Sequence, residues 1–106
     1  MATGTLANIA ISAATYTSIY QCPADTFAVV TVSVCNRSAT SSNIRLTVGD
    51  TFPPTNGDYI EFDTSLSANG VMERTGIVLG AGQYISGRSS AADVDIVVYG
   101  IETSTA

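Results

Sequence analysis

The sequence predicts an all-β chain, a single antiparallel β-sandwich or jelly-roll-like domain of about eight short strands. Three observations carry the prediction. Apolar residues recur with a period of two rather than 3.6. Turn-forming residues interrupt them at spacings of about 8–12 positions. No ten-residue stretch shows a helical stripe with caps. With 106 residues the chain has the length of one domain and not two. Residues 1–106 are therefore read as one unit. Residues 1–5 and 103–106 are small, polar and uncommitted to a core, and are expected to be loose.

The elements follow in chain order. Leu6 to Ile11 and Tyr16 to Gln21 are short strand candidates, and Pro23-Ala24-Asp25 breaks the chain after them. Phe27 to Cys35 is the strongest: Val30, Val32 and Val34 share one face, while Val29, Thr31, Ser33 and Cys35 take the other, half-buried one. Asn36 to Ser42 is a polar loop. Asn43 to Val48 alternates, Ile44, Leu46 and Val48 inward against Arg45 and Thr47 outward. Phe52-Pro53-Pro54-Thr55-Asn56-Gly57 is the longest insertion, and Asp58 to Phe62 is the next strand. Ala68-Asn69-Gly70 reads as a hairpin turn with two positive-φ positions. Val71 to Leu79 and Gln83 to Gly87 follow, separated by Gly80-Ala81-Gly82. Asp93 to Tyr99 closes the set, with Val94, Ile96 and Val98 inward.

Composition narrows the chemistry. Four bases, all Arg, stand against nine acids for a net charge of -5, and there is no His and no Lys. Such a chain cannot form the basic stripe that grips nucleic acid, and its acidity disfavours an anionic membrane surface. Without His the commonest general base and transition-metal ligand is absent; without Lys there is no Schiff base, Ser-Lys dyad or P-loop lysine. The chain is therefore expected not to be an enzyme and to hold no cofactor. The 12 Ser and 14 Thr suit a hydroxyl-covered surface. Nothing at the start has the positive and apolar regions of a signal peptide, and the apolar run from Phe27 to Val34 is too short to span a bilayer. Cys22 and Cys35 are accordingly read as two buried thiols rather than a disulfide.

Few constellations suggest chemistry. Gly87-Arg88-Ser89-Ser90 lacks the strand–turn–helix setting of a nucleophile or phosphate loop and reads as a hairpin tip. Asp50, Asp58, Glu61 and Asp63 cluster along the chain, but Glu61 and Asp63 share a strand face while Asp58 takes the other, so a solvated acidic rim is preferred to a metal site. Asp93 and Asp95 read as the outward half of an alternating strand. That last strand carries the informative irregularity. Its outward positions run Asp95, Val97, Tyr99, Ile101, turning apolar where a solvent-facing strand stays polar. Either the strand is central and covered on both faces, or Val97, Tyr99 and Ile101 form an exposed strip that packs on another subunit. Phe52, Pro53 and Pro54 pose the same alternative: tucked onto the domain's own sheet, or presented to a neighbour as a stiff contact element.

Several stretches together resemble small virion structural proteins of tailed bacteriophages, particularly those infecting cyanobacteria. These are Cys35-Asn36-Arg37, Asn56-Gly57-Asp58-Tyr59-Ile60-Glu61, Ala68-Asn69-Gly70 running into Val71 to Leu79, Ala81-Gly82, and Val97-Val98-Tyr99-Gly100-Ile101-Glu102. The resemblance covers about three-quarters of the chain. It implies a homo-oligomeric capsid decoration (cement) protein, for instance a trimer at a local three-fold position, bound to the major capsid protein. Met1 to Leu6 and Ile101 to Ala106 would be its candidate arms. It implies a chain made in the host cytoplasm that resides on the virion. A tail or fibre module, with tail proteins as partners, is the structural alternative; a small lectin-like module gripping glycans through Tyr and carboxylates is the alternative of another class.

Overall fold

In the computed structural model the described residues are 2–105, and all eight strands are present: β1 (Thr3–Ile11), β2 (Thr17–Gln21), β3 (Thr26–Asn36), β4 (Ser42–Gly49), β5 (Tyr59–Leu66), β6 (Val71–Leu79), β7 (Tyr84–Ser89) and β8 (Val94–Ser104). They form two antiparallel four-stranded sheets, β1-β8-β3-β6 (sheet I) and β2-β7-β4-β5 (sheet II). The pairs β1–β8, β2–β7, β3–β6 and β4–β5 are nested, as if one long hairpin folded at β4–β5 had been wrapped around itself. This is the jelly-roll order. Strand order is not encoded in the period-two pattern and comes from the structure alone.

The alternation read from the sequence sets the core except at the end of β4, where the break in register with β5 buries Thr47, expected outward, and leaves Val48, expected inward, half-buried. Val30, Val32 and Val34 of β3, Ile44 and Leu46 of β4, Ile85 of β7 and Val94, Ile96 and Val98 of β8 are all buried between the sheets. Each contributes roughly 1.5–3 kcal/mol by leaving water.

At the ends the strands run further than the apolar pattern does. Thr3 to Thr5 belong to β1, opposite Ile101 to Tyr99, and Thr103 and Ser104 belong to β8, opposite Phe27 and Thr26. The ladder needs only backbone groups, so small polar residues extend it without a hydrophobic signature. Met1 and Ala106, the outermost residues of the expected arms, lie outside the described residues.

The β5–β6 turn differs from expectation in one respect. Asn69 has positive φ (57°) but Gly70 does not. Gly70 is required by proximity instead, since a Cβ there would lie 2.9 Å from the Ser67 carbonyl oxygen, which already accepts the Gly70 amide. The neighbouring Asn36, fully buried, ties this turn to β3: its Nδ2 donates to the carbonyls of Thr40, Leu66 and Ser67, and its Oδ1 accepts from the Ser38 amide.

The two cysteines are free. Cys22 is buried beside Thr26 at the start of β3, while Cys35 is half-buried near the end of that strand. Nine residues of extended chain separate Thr26 from Cys35, about 30 Å at ~3.3 Å each, far beyond the Cα separation a disulfide tolerates. Pairing is geometrically closed.

Candidate docking surface

The outward positions of sheet I gather an apolar surface from three strands. The register places Val78 of β6 beside Val29 of β3, Val29 beside Ile101 of β8, and Ile101 beside Thr3 of β1. Next to this row, Tyr99 stands between Thr31 and Thr5, and Phe27 lies opposite Thr103. Phe27, Val29, Val78, Tyr99 and Ile101 are each between 37% and 62% exposed. Gly100, between Tyr99 and Ile101, lets the backbones of β3 and β8 approach closely at this row. A Cβ at Gly100 (φ 156°) would fall 2.1 Å from the Val29 carbonyl oxygen and 2.8 Å from the Val30 Cα. The Tyr99 hydroxyl donates to Glu73 Oε2 at 2.9 Å, and this bond, with some burial, raises the phenol above its ordinary range.

The structure thus answers the question posed by the last strand. β8 is central in its sheet, between β1 and β3, yet its outer face is open: Tyr99 and Ile101 are exposed and Val97 is half-buried. The Phe52 loop does not join this surface. It sits at the end of the sandwich where β4 passes into β5, and the Phe52 ring leans on Tyr84 of sheet II at 6.2 Å. Pro53, joined to Phe52 by a cis peptide, is exposed and Pro54 half-buried. Phe27, Val29 and Val78 escape the sequence reading. Phe27 and Val29 stand at i, i+2 on the side of β3 that also holds Thr31 and Ser33, and that polar company hid them. Val78 was obscured by the register break opposite Val30–Val32, which moves β6 out of simple alternation.

The charges lie elsewhere. Arg37 Nε bonds Asp95 Oδ2 at 2.7 Å and approaches Asp93 at 4.0 Å, so the two aspartates share one cation; Asp93 itself precedes β8 with positive φ. Arg74 of β6 meets Glu61 of β5 at 3.2 Å, bridging the sheets along their open side. Glu61 and Asp63 therefore do not share a face: β5 breaks register, and Asp63 adopts φ 53°. Asp63 turns outward to Arg45, whose Nε and Nη2 grip both its carboxylate oxygens at 2.7 and 3.1 Å. That bond holds the Asp63 carboxyl below its usual range, as a guanidinium partner should. Asp58 accepts from the Thr55 amide and hydroxyl, and Asp50 from Gln83. Among the described residues no three His, Cys, Asp or Glu come together as a metal-holding group.

The outer face of sheet II has a different character. Arg45 lies 4.1 Å above the Phe62 ring, Tyr59 packs edge-on against Phe62 at 5.0 Å, and the hydroxyls of Tyr16 and Tyr59 meet at 2.6 Å. Burial opposes ionisation of Tyr16, but bonds from Tyr59 and Arg45 outweigh it and lower the phenol, while Tyr59 is raised by its bond to Tyr16. A shallow groove of about 380 Å³ at the end of the sandwich is lined by Gln21, Cys22, Pro23, Ala24, Ala81 and Gly82. Cys22 is its one thiol, and burial pushes that thiol up, towards the unreactive protonated form.

No family model and no curated protein matches the chain. Among solved structures it is similar to a structure of infectious bursal disease virus, Gx strain, at 14% identity and a TM-score of 0.45, over 94% of this chain and 29% of that one. The chain thus spans less than a third of the length of the chain to which it is similar.

Proposed function

We propose that this chain is a virion structural protein that acts by docking onto other protein subunits through the outer face of sheet I, and that it is not an enzyme. The observation that carries the reading is the exposed row Val78–Val29–Ile101 with Tyr99 and Phe27 beside it, on strands that Gly100 lets approach closely. A contiguous apolar surface on a small acidic domain disfavours solvent and favours a protein partner. Arg37, Arg45 and Arg74 are held in ion pairs with the chain's own carboxylates, and Arg88 lies near the Tyr16 ring. Among the described residues no basic patch remains to attract nucleic acid. The jelly roll serves viral capsid and lectin domains alike, so the surface and not the fold must decide.

In its specific form the reading is a homo-oligomeric cement protein on the head of a tailed phage, bridging capsid subunits. The resemblance of the strand and turn segments to such virion proteins supports it. Cement needs hundreds of copies and a tail or fibre module far fewer. Counting copies per purified particle and locating the chain by electron microscopy tests both forms. Many copies at inter-subunit sites on the shell fit the cement reading; a few copies on the tail overturn it. Absence of the chain from particles overturns the virion role altogether.

A second reading has its own observation. The cluster of Tyr16, Tyr59 and Phe62 with the Arg45–Asp63 pair sets aromatic rings beside a bidentate polar group, as glycan-binding surfaces do. Retention on a glycan array, lost on Phe62→Ala, would favour that reading over the docking one.

A further inference from the structure

We infer that strand β1 is a self-pairing edge, along which a second copy of this chain adds antiparallel so that the two sheets I become one eight-stranded sheet. The argument begins with the four sheet edges, each a row of backbone groups able to recruit another strand. Three are defended. β6 carries Glu73 and Arg74, the latter locked to Glu61, and breaks register with β3. β5 carries Glu61 and Asp63 and breaks register with β4 twice. β2 has only five residues and breaks register between Ser18 and Tyr20.

β1 is different. It is nine residues long, Thr3 to Ile11, with no charge and no proline, and it pairs with β8 on one side only. Its register break lies between Thr5 and Ala7, leaving Ala7 to Ile11 regular. Within that run Ile9 stands opposite the buried Ile96 and so points towards the core side, yet it is 37% exposed. The edge leaves it uncovered, and an added strand would cover it.

The occupant is a second copy because β1 is self-complementary about a two-fold axis and carries no charge to set against its image. Two chains of net charge -5 repel, and a two-fold axis sets each side chain near it against its own image. Pairing through β5 or β6 would confront like charges. β1 escapes this, and the nearest acid on the adjoining strand, Asp95 opposite Ala10, is already neutralised by Arg37. The side chains also fit. An antiparallel pairing centred on Ile9 sets Ile9 against Ile9, Ala7 against Ile11 and Asn8 against Ala10, core side to core side and outer to outer. The product presents the apolar rows of both copies on one continuous surface. The inference takes self-association from the reading above but assigns it to a different surface, so the two fail separately.

Sedimentation equilibrium of the wild-type chain, Ile9→Lys, Ile9→Glu and their equimolar mixture tests it. The expected result is a wild-type dimer, self-association weakened about tenfold or more in each single variant, and recovery of the dimer in the mixture, where opposite charges meet. Ala10→Lys, on the exposed outer side and off the core, gives the same loss without risk to folding. If wild type associates and all these variants associate as strongly, the inference is overturned. When Tyr99→Ser/Ile101→Ser alone then dissociates the protein, the docking-face reading survives it. A wild-type chain that stays monomeric at its highest soluble concentration overturns the edge pairing, and particle localisation then judges the docking face on its own.

Discussion

Replacing Tyr99 and Ile101 together by serine removes the centre of the exposed apolar surface while leaving the buried residues of β8 in place. Of these two side chains, 38% and 47% respectively is open to solvent, a little less than one whole side chain in total. Full burial of a large apolar side chain is worth ~1.5–3 kcal/mol, so covering these fractions contributes about 1.3–2.5 kcal/mol to docking. At ~1.4 kcal/mol per decade, the double variant should bind its partner subunit roughly 10- to 70-fold more weakly. The fold should survive. The parts already buried, a little more than one whole side chain in total, cost about 1.7–3.5 kcal/mol when lost, against a domain stability of roughly 5–15 kcal/mol. The Tyr99–Glu73 hydrogen bond is exposed and adds little. The assay is retention on purified particles together with sedimentation, and a urea titration confirms that both proteins are folded. Unchanged retention and unchanged sedimentation in a folded double variant would refute the argument that this surface is the contact.

Other expectations concern the frame that holds the surface. Gly100→Ala should lower the urea midpoint sharply, by roughly 3–5 kcal/mol of stability, because the new Cβ overlaps β3 backbone rather than a movable side chain; Gly80→Ala, whose nearest neighbour is Gln83 Oε1 at 3.6 Å, serves as a nearly neutral control. Asn36→Ala should cost roughly 2–4 kcal/mol by chemical denaturation, since three carbonyls lose their Nδ2 partner and the Ser38 amide loses its acceptor at a fully buried position. Alkaline pH should weaken the fold through Tyr20. Burial first, then the hydrogen bond to Glu102 Oε2 at 2.5 Å, raises this phenol far above its ordinary value. Its folded-state pKa exceeds the unfolded one, so its contribution is full below pH ~10 and is lost as pH rises beyond that. Stability measured by denaturation across this range should fall for wild type and fall less steeply for Tyr20→Phe, in which the other raised phenols, Tyr59 and Tyr99, still titrate; parallel curves would contradict the assignment.

Much of the architecture was legible because side-chain alternation reports directly on burial. Val30-Val32-Val34, Ile44-Leu46 and Val94-Ile96-Val98 can be read off by eye, and each is buried between the sheets. The strand ends were not legible, because Thr3 to Thr5 and Thr103–Ser104 join the ladder through backbone groups that leave no apolar trace. Gly87-Arg88-Ser89-Ser90, read as a hairpin tip, instead continues β7 through Ser89, because Gly87, Arg88 and Ser89 pair with β4 through backbone groups; bulges caused two further departures. The break in β5 separates Glu61 from Asp63, which simple alternation places together, and the break in β6 hides Val78. The candidate surface was half visible: Val97, Tyr99 and Ile101 stood out on one strand. Their union with Val29, Val78 and Phe27 depends on β3 and β6 being the next strands across, which local periodicity cannot convey. The Phe52 loop illustrates the converse. An aromatic beside two prolines fits either alternative equally until Tyr84 is seen under it.

The claim at the centre of this account is that the outer face of sheet I is covered by protein in the working assembly. Hydroxyl-radical footprinting of the assembled and the isolated chain measures this at the residues concerned, because Tyr and Phe rings report their own exposure. Oxidation of Tyr99 and Phe27 should fall severalfold on assembly while that of Phe62, on the opposite face, stays the same. Equal oxidation of Tyr99 and Phe27 in both states, or protection confined to Phe62, would contradict it.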